Sequence, residues 1–341
     1  MRAIKNYDQM LKVAASVGPV PVVIAVAQEY EVLEAVAEAQ ARGIVQAILV
    51  GDAKSIREIA RDHHLDLGSS RIIDDPDIVT AADKAMRLVA DGEARVAIKG
   101  QMQTPTFLRA ALKRESGLRT ERLVSHVGVF EVPGFDRLLF ITDGGVVLFP
   151  TKEQKIEIVS NGIVVAKGLG VEQPKVALLG AADEVSPDLP VTVEIEEIVA
   201  MQERWSSEGA LVGGPLLLDT AVSPEIARQR GRGGAVAGHA DVLVAPDVES
   251  GNIMAKGITY FAGGRMAGLV TGAKAPLVVG SRADPPETRL VCIAAGALLG
   301  AAAASLRLRE ANGTEFTQSS REGESFHEDR RPRTDHGRCG A

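Results

Sequence analysis

Aromatic residues are scarce in this chain of 341 residues: Phe, Tyr and Trp make up 4%, with 1 Trp and 3 Tyr. A nucleic-acid surface of basic patches interleaved with aromatics is therefore not expected. Cysteine is scarcer still, at 2. Cys292 lies in an apolar segment and Cys339 in the polar C-terminal stretch, so no disulfide framework is available. Neither has neighbours at zinc-ligand spacing, and His63, His64, His126 and His239 form no HExxH pattern, so no metal is expected. Basic charge is also short. The 38 Lys and Arg face 45 Asp and Glu, a net charge of −7. That weighs against general polyanion binding, but not against a local cationic pocket. Long hydrophobic runs are missing too. The first eight residues carry charges where a signal peptide needs its apolar region. Residues 291–306 are apolar but short for a bilayer span, and read as a buried helix. These absences point to the cytoplasm and to no membrane partner.

What is present is apolar and glycine-rich. Hydrophobic residues make up 45% and Gly numbers 35, about 10% of the chain against a usual share of roughly 7%. Val and Ala dominate the apolar positions, which points to α/β layering. Residues 20–27 (VPVVIAVA) form a continuous apolar run, as in a strand covered on both faces. Residues 29–41 place Val32, Leu33, Val36 and Ala37 at helical spacing. The alternation continues with strands at 44–50, 95–99, 125–132, 137–142, 175–179, 241–245, 266–271 and 276–279. Helices are expected over 55–63, 77–91, 190–202, 250–260 and 284–308. Thr104-Pro105 is expected to start a helix with a capping hydroxyl and Pro at the first helical position. Thr151 and Gln154 have capping-box spacing. From about Arg309 the chain is polar and reads as disordered.

Three polar clusters follow strands, where ligands of parallel α/β sheets bind. Gly100, Thr104 and Arg109 combine a strand end, a helix N-terminus and a cation, a fit for an anion. A capped helix with a surface Arg gives the same pattern. Asn252 and Lys256 share a helical face after the strand at 241–245, which an ordinary capped helix would also do. Ser281 and Arg282 pair a hydroxyl with a planar fork of donors suited to phosphate, and Asp284 suits a helix N-cap. Ala283 after Arg282 breaks the Gly-x-Ser-x-Gly pattern of a hydrolase nucleophile.

Several segments become familiar together. They are GHADVLVAPDVESGNIMAKGITYFAGGRMAGLVTGAKAPLVVGSRADPPET (238–288), KGQMQTPTFLRAAL (99–112), LRTERLVSHVGVFEVPGFDRLLFITD (118–143) and GGPLLLDTA (213–221). In one collinear order up to about residue 308, the chain resembles the phosphate acetyltransferase/phosphate butyryltransferase family. Ser-Arg-Ala-Asp at 281–284 and the segment 125–131 lean to the butyryltransferase branch. The resemblance implies that acyl-CoA and phosphate exchange to acyl phosphate and CoA by direct transfer, with no bound cofactor, in a homodimer or higher oligomer. It implies two α/β domains of mainly parallel sheets flanked by helices, like isocitrate or isopropylmalate dehydrogenase, with the site in the interdomain cleft. Residues 1–147 plus 276–308 would form one domain and 148–275 the other, leaving 309–341 as tail. Ser281, Arg282 and Glu287 are the implied catalytic residues. Arg109, Thr104, Gly100, Asn252, Lys256 and Asp284 are the implied phosphate and CoA contacts. Three positions depart from the family pattern. Thr288 stands where acetyltransferases carry an Asp, which moves the base to Glu287. Val147 replaces an Asn, and Gly213 an Asp. A phosphate acetyltransferase and a non-catalytic homologue that binds CoA or acyl phosphate are the alternatives. A metal-dependent dehydrogenase on a related fold lacks support, for want of an Asp cluster and of G-x-G-x-x-G after the first strand.

Overall fold

A computed structural model of the chain describes residues 3–280 and 285–323, and the side chains of the last helix to 305. It opens with α1 (Tyr7–Val17). Strand and helix then alternate through β1 (Val20–Ala25), α2 (Tyr30–Ala41), β2 (Val45–Gly51), α3 (Ala53–Asp62), β3 (Arg71–Asp74), α4 (Ile78–Ala90), β4 (Val96–Lys99) and α5 (Thr104–Leu112). A hairpin of β5 (Ser125–Glu131) and β6 (Leu139–Thr142) leads to α6 (Lys152–Gly168), β7 (Lys175–Leu179), α7 (Pro190–Val199), α8 (Gln202–Ser207) and β8 (Leu211–Leu216). Next come α9 (Leu218–Val222), α10 (Pro224–Gln229), β9 (Val242–Val244), α11 (Val248–Phe261), β10 (Arg265–Thr271), β11 (Leu277–Val278) and α12 (Pro286–Gly323).

Among the described residues the strands form one 11-stranded sheet in the order β3-β2-β1-β4-β11-β10-β5-β6-β9-β7-β8. The first five strands are mutually parallel. So are β6, β9, β7 and β8. Antiparallel pairings of β11 with β10, β10 with β5 and β5 with β6 separate these blocks, so the blocks run in opposite directions. The result is an α/β fold with a large, mostly parallel sheet flanked by helices.

Burial explains the sequence pattern. In β1, Val22, Val23, Ile24 and Ala25 are all sealed from solvent, which is why the strand reads as a continuous apolar run. In α12, Leu290, Val291, Ile293 and Leu298 are buried, each worth about 1.5–3 kcal/mol of apolar burial. This is the apolar late stretch of the sequence. The helical segment Pro286–Ser305 that contains most of it is long and apolar enough to cross a membrane, but is mostly buried in the protein. The capping box forms at Thr151, whose side chain accepts from Gln154 N–H while the Gln154 side chain bonds back.

Some expectations shift. α5 begins one residue earlier than the capping reading has it: Gln103 is the N-cap, without a side-chain cap bond, and Pro105 stands at the second helical position. Phe107 N–H reaches the Gln103 carbonyl, so the backbone sets the boundary and the Thr104 hydroxyl is not the cap. The expected helix over 190–202 divides into α7 and α8. Several elements lie outside the sequence reading, among them α1 and β3. α1 is capped by the Asn6 side chain, which accepts from Gln9 N–H. β3 is a short, half-exposed edge strand. By compactness, one unit spans Met1–Ala302 and a second Ala303–Ala341. In the second, helical backbone continues through Gly323, where the polar composition from 309 gives the expectation of disorder. Residues 324–341 lie outside the described residues.

Candidate active site

The ends of β4, β6 and β11 gather the polar groups. At the end of β4, Lys99 is buried, and its ammonium donates to the carbonyls of Gly100 (3.3 Å) and Met102 (3.2 Å). Gly100 packs against the loop after β1, where any side chain would overlap the Val26 carbonyl. Its N–H donates to the Ala25 carbonyl at 2.9 Å, and Gln101 N–H to that of Val26 at 2.7 Å. Beside this turn Arg289, in the first turns of α12, meets Glu29 of the β1–α2 loop at 2.8 Å, both well shielded from solvent. Lys99, Val278, Gly280, Arg289 and Cys292 line one small cavity. Two buried cations thus sit under the end of β11.

The second cluster is built on Asp143, which is 3% exposed. One carboxylate oxygen accepts from the N–H groups of Gly145 (2.7 Å) and Val146 (2.9 Å). The other accepts from His126 (2.9 Å) and Val147 (3.1 Å). One side chain therefore folds the whole β6–α6 turn and ties it to β5. The N-terminus of α11 docks on this turn. A side chain at Gly251 would overlap the Asp143 carbonyl and lie 3.1 Å from Gly144 Cα. Asn252 donates from its amide to the Gly144 carbonyl at 3.0 Å. Asp247 caps α11, and the Ser250 N–H and hydroxyl that it accepts hold its carboxyl below the usual range.

The two clusters meet along the end of β11. Val279 N–H donates to the Gly268 carbonyl at 3.1 Å. A side chain at Gly268 would overlap the Val279 carbonyl, and its Cβ would lie 3.3 Å from His126 Nε2. The His126 ring also faces Gly145. Burial pushes its imidazole below the ordinary histidine value, against the opposing charge of Asp143.

Of the sequence-predicted residues, Gly100 and Thr104 lie at the β4–α5 turn and Asn252 at the β6–α6 turn. Lys256 is one turn further along α11 and exposed. Arg109 is exposed in the last turn of α5, with no side-chain partner among the described residues. Glu287 is exposed in the first turn of α12. The adjacent Thr288 is buried. Ser281, Arg282 and Asp284 lie outside the described residues. Among the described residues no group of three or more His, Cys, Asp or Glu side chains is arranged to hold a metal. Asp143, Lys99, Glu29 and Arg289 escape the sequence reading. An Asp-Gly-Gly at a strand end is a usable signal for the first. Glu29 and Arg289 are separated by 260 positions, and no local pattern links them.

Comparison with known proteins bears directly on this site. The phosphate acetyl/butaryl transferase family model matches residues 7–81 and 76–297. A phosphate butyryltransferase of Clostridium beijerinckii is 42% identical over 297 residues, 87% of this chain and 98% of that protein. A phosphate acetyltransferase of Rhizobium meliloti is 39% identical over 296 residues, 87% and 94% of the two chains. A crystal structure of a branched-chain phosphotransacylase from Enterococcus faecalis V583 superimposes with a TM-score of 0.72 at 31% identity, covering 82% of this chain and 99% of that one. The matched region includes both clusters and the segment that carries Ser281 and Arg282, and the chain belongs to the phosphate acetyl/butaryl transferase family of acyltransferase enzymes.

Proposed function

We propose that this chain moves a short acyl group between coenzyme A and inorganic phosphate, with butyryl-CoA the favoured substrate. The observation that carries this reading is the 42% identity to a phosphate butyryltransferase along 98% of that protein. A phosphate oxygen forms the new bond to the thioester carbonyl carbon. The C–S bond breaks, its electron pair goes to sulfur, and the phosphate proton ends on the thiol. No covalent acyl-enzyme is required. Arg282 and Arg109 hold and orient the phosphate, and Gly100 and Thr104 lend it a helix N-terminus. Ser281 is assigned to the CoA sulfur and Asp284 to the phosphate and CoA contacts. Glu287 takes the thiol proton in the reverse direction. Asn252 and Lys256 bind CoA. Acetyl-CoA is the second substrate to consider, since the Rhizobium relative is a phosphate acetyltransferase.

The domain division at 147 and 276 is part of this proposal, supported by the two oppositely directed parallel blocks of the sheet. So are a cytoplasmic location and a homodimer. α11 buries Gly251 alone and exposes Ile253 (72%), Tyr260 (74%) and Phe261 (93%). An isologous contact lets a second copy cover this stripe with itself, next to Asn252 and Lys256.

The test is CoA release, followed with a thiol reagent, from acetyl- to valeryl-CoA in the presence of phosphate or arsenate. Phosphate-dependent release, fastest with butyryl-CoA, is expected. Release from none of them contradicts the proposal, and CoA binding without turnover would mark a non-catalytic homologue. Ser281→Ala and Arg282→Ala are expected to abolish most turnover in a folded protein.

A further inference from the structure

Lys99 has no part in the roles assigned above, yet it ends the strand that leads into two of the assigned contacts, Gly100 and Thr104. Its side chain is 5% exposed and turns back under the chain that follows. Nζ donates to the carbonyls of Gly100 and Met102, at 3.3 and 3.2 Å. A trans peptide points its C=O and the next N–H in opposite directions. The first of these two peptides shows the consequence. The Gly100 carbonyl meets Lys99, and Gln101 N–H meets the Val26 carbonyl at 2.7 Å. The second repeats it two residues later. The Met102 carbonyl is held on the ammonium, so Gln103 N–H is turned away from it. Gln103 is exposed and is the N-cap of α5. Its N–H has no acceptor among the described residues. Thr104, next along, opens the helix, where N–H groups have no partner within the helix. β11 runs along the same strand, with Leu277 and Val278 in register with Ala97 and Ile98. The chain that leaves β11 passes Gly280, which lines the same small cavity as Lys99.

We propose, on the phosphate acyltransferase reading, that Lys99 is a positioning residue of that reaction and that Gln103 N–H is the phosphate contact it sets. Lys99 does not touch the phosphate. It acts through the Met102 carbonyl, whose peptide it fixes so that Gln103 N–H and Thr104 N–H face the anion together. The peptide is fixed before phosphate arrives, and a donor already in place needs no reorganisation when the charge comes. The buried ammonium also puts a full positive charge behind these donors, in a setting where water screens it poorly. No bond to Lys99 or Gln103 forms or breaks. Phosphate still attacks the thioester carbonyl carbon, and its proton still ends on sulfur.

The experiment compares wild type with Lys99→Met, Lys99→Arg and Gln103→Pro in initial rates with butyryl-CoA and inorganic phosphate. Circular dichroism and urea midpoints report folding. Lys99→Met keeps an unbranched stem without the donors, and Lys99→Arg returns charge and donors. Gln103 has φ −75°, which a proline ring adopts, so Gln103→Pro removes the N–H and leaves Lys99 in place. One hydrogen bond to a charged group corresponds to about a 10-fold change in affinity or more. KM for phosphate is expected to rise by that factor in Lys99→Met and in Gln103→Pro. KM for butyryl-CoA is expected to stay nearly unchanged, and Lys99→Arg to recover part of the loss. Three results overturn the role: a folded Lys99→Met protein with the wild-type KM for phosphate, an equal rise in KM for both substrates, which marks a merely structural lysine, or a Gln103→Pro protein with the wild-type KM for phosphate. If Lys99→Met does not fold, Gln103→Pro decides alone. A wild-type protein that releases CoA from no acyl-CoA overturns the acyltransferase reading itself, and is thereby distinct from these outcomes.

Discussion

Replacing Asp143 by Asn exchanges one oxygen for an amide nitrogen but disturbs four hydrogen bonds. Both carboxylate oxygens accept two backbone N–H groups, at 2.7 to 3.1 Å. The Asn amide has one acceptor oxygen and one donor nitrogen. Whichever way it turns, its NH₂ faces two N–H donors and two bonds are lost. A hydrogen bond to a charged group contributes about 1.5–3 kcal/mol, so the cost is about 3–6 kcal/mol. The site is 3% exposed, and water has little room to compensate. The assay is urea unfolding of wild type and Asp143→Asn. The midpoint is expected to fall while the slope, which reports the surface exposed on unfolding, stays constant. Turnover is expected to fall in parallel, because the same carboxylate shapes the turn on which Gly251 and Asn252 rest. A loss of less than about 1 kcal/mol would refute the view that this one side chain holds the β6–α6 turn together.

Gly251→Ala is expected to lower the melting temperature, because the new methyl overlaps the Asp143 carbonyl; overpacking of this kind costs about 1–3 kcal/mol, and an unchanged melting temperature would count against the close docking of α11. His126 gives stability a pH dependence. Its folded-state value is depressed, so the stability gained by burying the neutral ring is complete above the unfolded value of 6.5 and is lost as pH falls through the folded value. Urea midpoints of wild type are expected to drop more than those of His126→Gln between about pH 7.5 and 5.5; parallel curves would contradict the burial. Asn252→Ala and Lys256→Ala are expected to raise KM for acyl-CoA more than they lower kcat, read from initial rates. Glu287→Gln is expected to slow the reverse reaction of acyl phosphate with CoA, and an unchanged rate would remove it as the base.

Strands and helices were legible where burial imposes a period. The run at β1 and the late apolar helix α12 are examples, since both faces of one and most of the other meet protein. β3 was hidden because a half-exposed, four-residue edge strand (Arg71–Asp74) carries little apolar signal. The start of α5 was displaced by a residue because a Thr-Pro pair satisfies the capping pattern, while the backbone bond from Phe107 to Gln103 sets the true boundary. The site was legible only in parts. Asn252 was found from its helical spacing to Lys256, but its bond to Gly144 is a tertiary fact, as it spans 108 positions. His126 reads as a structural histidine in an apolar strand. Its sealed Nδ1 and its glycine neighbour on β10 are not visible from β5 alone. A buried charge such as Arg289 carries no local mark, because its partner Glu29 comes from another part of the chain.

The central claim is acyl transfer to phosphate, and the most direct measurement is product identity. The purified protein is incubated with butyryl-CoA and inorganic phosphate, and the mixture is read by phosphorus NMR and thiol titration. The account predicts one equivalent of butyryl phosphate for each CoA released, with no release when phosphate is withheld. CoA released at the same rate without phosphate, with butyrate as the product, would contradict it.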